Sequence, residues 1–173
     1  MTQQHEGRAV VSGEREPGLF EVMYSARAMR RLKPDPVPEE LLLRLIEAAI
    51  QAPTPSNIQG WRWIIVRDAE QKARIAQLNR AAVLVYLQRG SRLISPQTPD
   101  QAAQAERNRR ALQWQADHLQ EAPALIVAAT DADPAMTPSS RRAAGAVVIW
   151  PAIQNLLLAA RALGLGATPT TLA

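Results

Sequence analysis

The stretch SARAMRRLKPDPVP, residues 25–38, decides how this chain is interpreted. Its first nine residues hold three arginines and one lysine among small and apolar side chains. The prolines that follow, Pro34, Pro36 and Pro38, cannot continue a helix, because each lacks an N–H and pushes the preceding residue towards extended geometry. The cations therefore lie on a short, restricted segment between two helical patterns, which suits a phosphate. A solvated basic turn is an equally good interpretation of these residues alone.

Helical and strand patterns alternate on both sides of this stretch. Leu19 to Tyr24 can form a short helix with Phe20 and Met23 on one side. Pro38 suits the first turn of a second helix, which Pro53 stops. Further along, the sequence predicts a loop at 52–60, a strand at 61–67, a helix capped by Asp68 that runs to Gly90, a weakly anchored helix at 101–120 and a strand at 123–130 buried on both faces.

The last part of the chain is strongly apolar. Ser139 or Ser140 can cap a helix that is apolar almost all round and runs to about Leu163. Gly164 helps to end this helix, and residues 167–172 begin a third extended segment. The order of elements indicates an α/β or α+β protein with long helical crossovers. Three strands are few for such a sheet, so we expect a partner chain to complete it.

Composition argues against a nucleic-acid partner. The 173 residues are enough for one domain with a single core, and 47% of them are apolar. Twenty Lys and Arg against sixteen Asp and Glu give a net charge of only +4, and aromatic residues make up 4%. A nucleic-acid binder usually has a dense basic stripe with aromatic platforms, so DNA and RNA are poor candidate partners.

The sequence also bears on domain organisation and location. We expect a disordered polar tail at 1–17 and a single domain at 18–173. Neither a signal-peptide pattern nor a continuous run of about 18 apolar residues is found, so we expect a cytoplasmic protein with no membrane span.

Residue types that commonly carry catalysis are scarce. The chain has no cysteine, and His5 and His118 are too far apart to suggest a metal site. No glycine-rich phosphate loop is present, and Asp131 and Asp133 more often shape a turn than form a catalytic pair. Three polar segments remain at the ends of apolar elements: cations at 27–33, an amide-rich loop at 56–59 and hydroxyls at 168–171. A phosphate, an amide-bearing ring and a polar tether would match these groups.

Three stretches resemble the FMN-dependent nitroreductase superfamily. They are residues 25–38, the loop APTPSNIQGW at 52–61, and residues 145–172, which include WPAIQNLLLAARALGLG at 150–166. The resemblance implies an α+β fold with a central, mostly antiparallel sheet flanked by helices, and an obligate homodimer with FMN at the subunit interface. It also implies ping-pong hydride transfer from NAD(P)H to a nitroaromatic, quinone or related electron-poor small molecule.

The resemblance assigns the FMN phosphate to the arginine-rich segment. The role carries over to Arg27 and Arg30, with Ala28 between them. Guanidinium groups suit this role because they can contact phosphate through two hydrogen bonds at once. Arg31 points the other way on an extended chain and is expected to be structural or solvated. An arginine often found one position before Arg27 is Ala26 here, so one phosphate ligand of the family is missing.

The resemblance assigns the flavin ring or ribityl chain to the loop. The family's Pro-Ser-x-x-Asn loop reaches the flavin from the second subunit, with a spacing that is one or two residues shorter here. The implied cofactor-binding residues are Pro55, Ser56, Asn57 and Gln59.

A third site segment, with Pro169, Thr170 and Thr171, resembles the family's stretch beside the reactive edge of the flavin. A backbone N–H of Thr170 or Thr171 would stabilise negative charge at N5. The cofactor carries the hydride chemistry, so no catalytic side chain and no metal is expected.

Several alternatives stay open at this level. A lid-like insertion at about 89–120 is expected to shape substrate choice, with Trp114 as a possible aromatic wall, although Trp114 is more readily explained as a helix anchor. Family members usually continue beyond this length, which implies a truncation or a weaker dimer. The alternatives in function are a flavin-destroying or dehalogenating enzyme on the same fold and an inactive flavin-binding or dimerisation module.

Overall fold

A computed structural model describes residues 17–89, 96–131, 135 and 137–171. Residues 1–16 of the predicted tail, the 90–95 part of the predicted lid, Asp133 and Leu172 lie outside the described residues. Five helices and two strands follow in the order α1 (Leu19–Ser25), α2 (Glu39–Ala49), β1 (Trp61–Val66), α3 (Ala69–Arg89), α4 (Pro99–His118), β2 (Leu125–Thr130) and α5 (Pro138–Ala162).

The two strands form one antiparallel sheet, which makes the protein α+β. Trp61 lies opposite Thr130 and Val66 lies opposite Leu125. The prediction that β2 is buried on both faces is wrong, because Val127 is exposed while its neighbour Ile126 packs against the core. The predicted third strand is also wrong for residues 167–171, which lie in no strand.

The core is built where α2 crosses α5 and the start of β1. Apolar side chains recur along α2 at positions that share one face, and small residues on α5 let the two helices approach closely. Burying a leucine side chain is worth about 1.5–3 kcal/mol, so this cluster supplies much of the stability. Its buried members are Leu42, Leu45, Ala49, Ala52, Trp61, Ala152, Leu156 and Ala160.

The N-cap hydrogen bonds of α3 and α5 can be compared with the predicted first residues of these helices. Asp68 caps α3 as predicted, because its Oδ1 accepts a hydrogen bond from the backbone N–H of Gln71 at 2.8 Å. The prediction that Ser139 or Ser140 caps α5 is wrong: Thr137 is the cap, and its Oγ1 accepts from the N–H of Ser140 at 3.2 Å. Pro138 follows Thr137 at the first helical position, where proline is favourable because no N–H is needed there.

Helix α5 is apolar on its exposed side as well as its core side. By length and composition it could cross a membrane, with a mean hydropathy of 1.6 over its most apolar window, although the core helix of a soluble protein passes the same test. Here α5 packs against α2, β2 and α1. Val147 and Trp150 are nevertheless 63% and 43% exposed, so an apolar face of this helix is left uncovered by the described chain.

Helix α4 is peripheral, as its weak apolar pattern predicts. Most of its side chains are exposed, and it contacts the rest of the fold through α3 and the turn Leu119–Glu121. Hydrogen bonds from Arg109 and then Arg110 lower the pKa of the partly exposed Glu106 carboxyl to about 2, so this carboxyl stays ionised at physiological pH.

Candidate functional site

The cationic segment lies between α1 and α2 and is held against the residues that follow α5. The backbone N–H of Met29 donates to the carbonyl of Ala167 at 3.0 Å. A Cβ atom on Gly166 would lie only 2.9 Å from Leu32 Cδ2 and 3.3 Å from Met29 Cβ, so glycine is what permits this approach. The fold thus brings together two of the three predicted polar segments, 27–33 and 168–171.

The three arginines of this segment have different surroundings. Arg27 is exposed, and its guanidinium donates to the carbonyls of Tyr24 at 2.9 Å and Ala26 at 2.7 Å. The Nε of Arg30 is buried and has no hydrogen-bond partner among the described residues. Arg31 lies over the ring of Trp114, with its guanidinium carbon 5.9 Å from the ring centroid. Ala28 is exposed between Arg27 and Arg30.

The threonine-rich end presents a second unpartnered group. The hydroxyl of Thr168 is buried and has no hydrogen-bond partner in the part of the chain that the structure describes. Pro169, Thr170 and Thr171 are exposed, and Thr170 Oγ1 accepts a hydrogen bond from Asn79 Nδ2 at 2.9 Å. A buried donor or acceptor without a partner costs about 1–3 kcal/mol. Arg30 directly follows Met29, and Thr168 directly follows Ala167. Two unpartnered buried groups on segments that are joined in this way are typical of a site that a ligand completes.

The loop between α2 and β1 is strained and exposed. Ser56, Asn57 and Gln59 have positive φ angles of 49°, 55° and 52°, and they are the only non-glycine residues with positive φ among those described. Asparagine tolerates this conformation, whereas serine and glutamine adopt it less readily. Strain of this kind persists where the surroundings or a ligand require it, and it is frequent at binding sites. The loop is therefore a functional candidate on geometry as well as on residue type.

Hydrogen bonds within the loop fix its shape. The N–H of Gln59 donates to Thr54 Oγ1 at 3.1 Å, and Gln59 Nε2 donates to Asn57 Oδ1 at 2.8 Å. Residues 53–57 also carry the family's proline-to-asparagine spacing in full, with Thr54 where the pattern has serine. Counted from Pro53, the loop is not short, and Thr54 joins Pro55 and Ser56 as a candidate.

The loop is not joined by these bonds to the other two segments. Beyond its own residues, it is linked through the carbonyl of Gly60, which accepts from the N–H of Asp131 at 2.7 Å. Asp131 also pairs with Arg62 at 2.9 Å at the end of the sheet. The assignment of the loop to a flavin in the second subunit stays a prediction.

Trp114 connects the predicted lid to the cationic segment. Its ring stacks on His118, with centroids 4.2 Å apart and an interplanar angle of 8°, while Arg31 lies over it. A ring with two stacked neighbours is better explained as an anchor of α4 than as a wall for substrate.

Other features of the described chain do not compete for the site. No group of His, Asp or Glu side chains within the described residues could hold a metal ion. A shallow cavity of about 500 Å³ lies at the end of β1, lined by residues 64–68 with Glu39 and Gln71. None of the predicted site residues lines it.

Comparison with known families decides the class of protein. Residues 23–172 match the family model described as the nitroreductase family. The chain belongs to the nitroreductase family. The predicted membership is thereby confirmed over nearly the whole sequence.

Named relatives in this family differ in activity. An iodotyrosine deiodinase of Thermotoga neapolitana is 28% identical over 154 residues, which are 88% of this chain and 73% of that protein. An NADH dehydrogenase of Thermus thermophilus is 45% identical over 51 residues, which are 30% of this chain but only 25% of that protein. This nitroreductase-family chain therefore spans only part of the length of these relatives.

Solved structures confirm the nitroreductase-like fold. A crystal structure of oxidized iodotyrosine deiodinase bound to FMN and 3-iodo-L-tyrosine superposes with a TM-score of 0.67 at 25% identity, over 89% of this chain and 74% of that one. A nitroreductase with bound FMN from Desulfitobacterium hafniense superposes with a TM-score of 0.59 at 25% identity, over 84% and 65%.

Proposed function

We propose that this nitroreductase-family chain is an FMN-dependent oxidoreductase that transfers electrons from NAD(P)H to an electron-poor small molecule. We further propose that it acts as a cytoplasmic homodimer, with one domain at 18–173 and a substrate lid at about 89–120. Relatives that bind FMN support the cofactor. Contacts among this chain's own residues support the position of the site.

The observation that carries the proposal is the pair of unpartnered groups at the joined segments. Arg30 Nε is a buried donor and Thr168 Oγ1 can donate or accept, and neither has a partner among the residues described. A phosphate and a polyol chain offer the acceptors and hydroxyls that such groups need. The residues present therefore fit FMN, although Ala26 leaves the phosphate with two arginines.

Each segment would have a separate task. Bound FMN would supply the hydride-transfer chemistry. Arg27 and Arg30 would hold its phosphate, and Ser56, Asn57 and Gln59 would offer hydroxyl and amide groups to the ring or the ribityl chain. The backbone N–H of Thr170 or Thr171 would stabilise negative charge at N5 as a fixed dipole. No acid or base side chain is needed for these tasks.

Exposed apolar side chains support a homodimer. Phe20 and Tyr24 of α1 stack with centroids 6.2 Å apart while both remain exposed, and Val147 and Trp150 are exposed on α5. Since α1 packs against α5, both helices place apolar side chains on the exterior of the described chain. Large exposed apolar patches commonly mark interfaces between proteins.

A reductive dehalogenase is the second candidate function. It is favoured by the Thermotoga neapolitana relative, a named iodotyrosine deiodinase that matches 88% of this chain. The same flavin site would serve either reaction, so the acceptor must be found by experiment.

The first test is FMN titration of the purified chain, followed by turnover. We expect FMN to be taken up with quenching of its fluorescence, and NADH or NADPH to be oxidised when an acceptor is added. The acceptors are a nitroaromatic compound, a quinone and 3-iodo-L-tyrosine, with products separated by mass spectrometry and iodide measured directly. Iodide release from 3-iodo-L-tyrosine, with no reduction of the nitroaromatic compound or the quinone, would identify the chain as a dehalogenase.

Two outcomes contradict the proposal. A chain that takes up no FMN at millimolar concentration is not a flavoenzyme. A chain that binds FMN but oxidises neither nicotinamide cofactor with any acceptor is a binding or dimerisation module instead.

A further inference from the structure

Asn79 is an unusual residue for its position on α3. It is 1% exposed and lies on the same face as the buried Ala76 and Val83, three residues before and four residues after it. A polar amide in an otherwise apolar stripe is costly to bury unless it is hydrogen-bonded. Its presence therefore calls for a specific task.

A hydrogen bond joins Asn79 to the threonine-rich end. Its Nδ2 donates to Thr170 Oγ1 at 2.9 Å, across 91 residues of sequence. Thr170 itself is exposed, so a buried amide supports a surface residue from beneath. A leucine or valine at position 79 would fill the helix face equally well but could not make this bond.

Two long-range hydrogen bonds, here called tethers, thus hold the segment 165–171, which lies in no strand and also keeps the local bond from the N–H of Leu165 to the carbonyl of Ala160 at 2.8 Å. Ala167 accepts from the N–H of Met29 at 3.0 Å, which attaches the segment to the cationic side of the site. Three residues further on, Thr170 is attached to α3 by Asn79. Both tethers help to fix the backbone between these points, including the N–H of Thr170, relative to the cationic segment.

We propose that Asn79 is a positioning residue for the flavin reaction, which aims the backbone N–H groups of Thr170 and Thr171 by holding the Thr170 side chain. The inference rests on the proposed function, because the N–H groups matter to catalysis only if FMN binds beside them. Asn79 touches neither cofactor nor substrate in this role. It acts through Thr170.

The test compares Asn79→Leu and Thr170→Val with the unaltered protein and with the double variant. Leucine keeps the volume and burial of residue 79, and valine keeps the shape of threonine without its hydroxyl. We expect each single variant to bind FMN within about threefold of the unaltered protein but to reduce it about tenfold more slowly in stopped-flow mixing with NAD(P)H, a loss that corresponds to about 1.4 kcal/mol. The double variant should be no slower than the singles, since both remove the same bond.

A second readout separates positioning from stability. The flavin reduction potential should fall in Asn79→Leu, because an N–H that is no longer aimed at the ring stabilises the reduced form less well. Gln115→Ala is the matched control: it removes a buried amide of α4, 6% exposed, and should affect the thermal midpoint without changing the potential. In the apo protein, Asn79→Leu should also speed amide hydrogen exchange at Thr168, Thr170 and Thr171.

The outcomes distinguish this inference from the proposed function. An unaltered protein that takes up no FMN refutes both. Normal FMN binding with an unchanged potential and unchanged reduction rate in Asn79→Leu refutes the role of Asn79 alone. Additive losses in the double variant would also refute it, because they would mean that the two residues act separately.

Discussion

The double variant Arg27→Ala/Arg30→Ala should lose its bound FMN during purification. Hydrogen bonds to charged groups contribute about 1.5–3 kcal/mol each, so removing two should weaken FMN binding by roughly 10²- to 10⁴-fold. Ala26 already takes the place of one arginine of the family pattern, so little else in the segment can compensate. FMN titration followed by fluorescence quenching measures the change.

The two single variants should weaken FMN binding to different extents. Arg30 Nε is buried without a described partner, so it gains a bond when phosphate binds and loses none. Arg27 must first give up its bonds to the carbonyls of Tyr24 and Ala26, which reduces its net contribution. We therefore expect Arg30→Ala to weaken FMN binding more than Arg27→Ala.

A matched control variant has the same net charge as the arginine double variant. Lys33→Ala/Arg74→Ala also removes two cations, one exposed next to the prolines and one paired with Glu70 on α3. Its FMN affinity should stay within about threefold of the unaltered protein, because screened surface charges contribute little. If the control loses FMN as completely as the arginine pair, or the arginine pair stays yellow, the phosphate assignment is wrong.

Leu45→Ala should have the largest effect on stability. Leu45 is 4% exposed in the cluster where α2 meets α5, and truncating a buried leucine costs about 2–5 kcal/mol because a cavity is left behind. A loss of that size is a large part of the 5–15 kcal/mol by which proteins are usually stable. Urea unfolding followed by circular dichroism, at one protein concentration, measures it.

Leu43→Ala is the control on the same helix. Leu43 is 47% exposed, so the same truncation should lower the free energy of unfolding by well under half of the loss in Leu45→Ala. Equal losses from both variants would contradict the placement of the core on one face of α2.

Patterns of single elements were predictable from the sequence, and contacts between distant segments were not. The proline run after Arg31 and the cap at Asp68 act locally, so the cationic segment and the start of α3 were predicted correctly. The bond between Met29 and Ala167 leaves no local pattern, because a single backbone bond constrains neither residue type. The structure has that bond, and no strand, at residues 167–171, where the sequence was expected to begin a third extended segment.

The residue types of the candidate site could be predicted from the sequence, but the burial and backbone conformation of those residues could not. Hydroxyls at 168–171 indicated the region, yet only the structure singles out Thr168 as buried without a described partner. Positive φ at Ser56 and Gln59 could not be inferred, since neither residue favours it. Asn79 gave no signal at all, because a lone amide in a helical pattern ordinarily lies on the solvated face.

The bond between Met29 and Ala167 also has a consequence for the order of folding. It closes a loop of nearly the whole described chain, and such long-range contacts form late because their loop-closure entropy must be overcome first. During synthesis, residue 167 leaves the ribosome after the described helices and strands, so we expect the proposed phosphate side of the site to assemble after them. Pulse-labelled hydrogen exchange during refolding should find the Met29 amide protected after the amides of α2; protection at the same time or earlier would contradict this order.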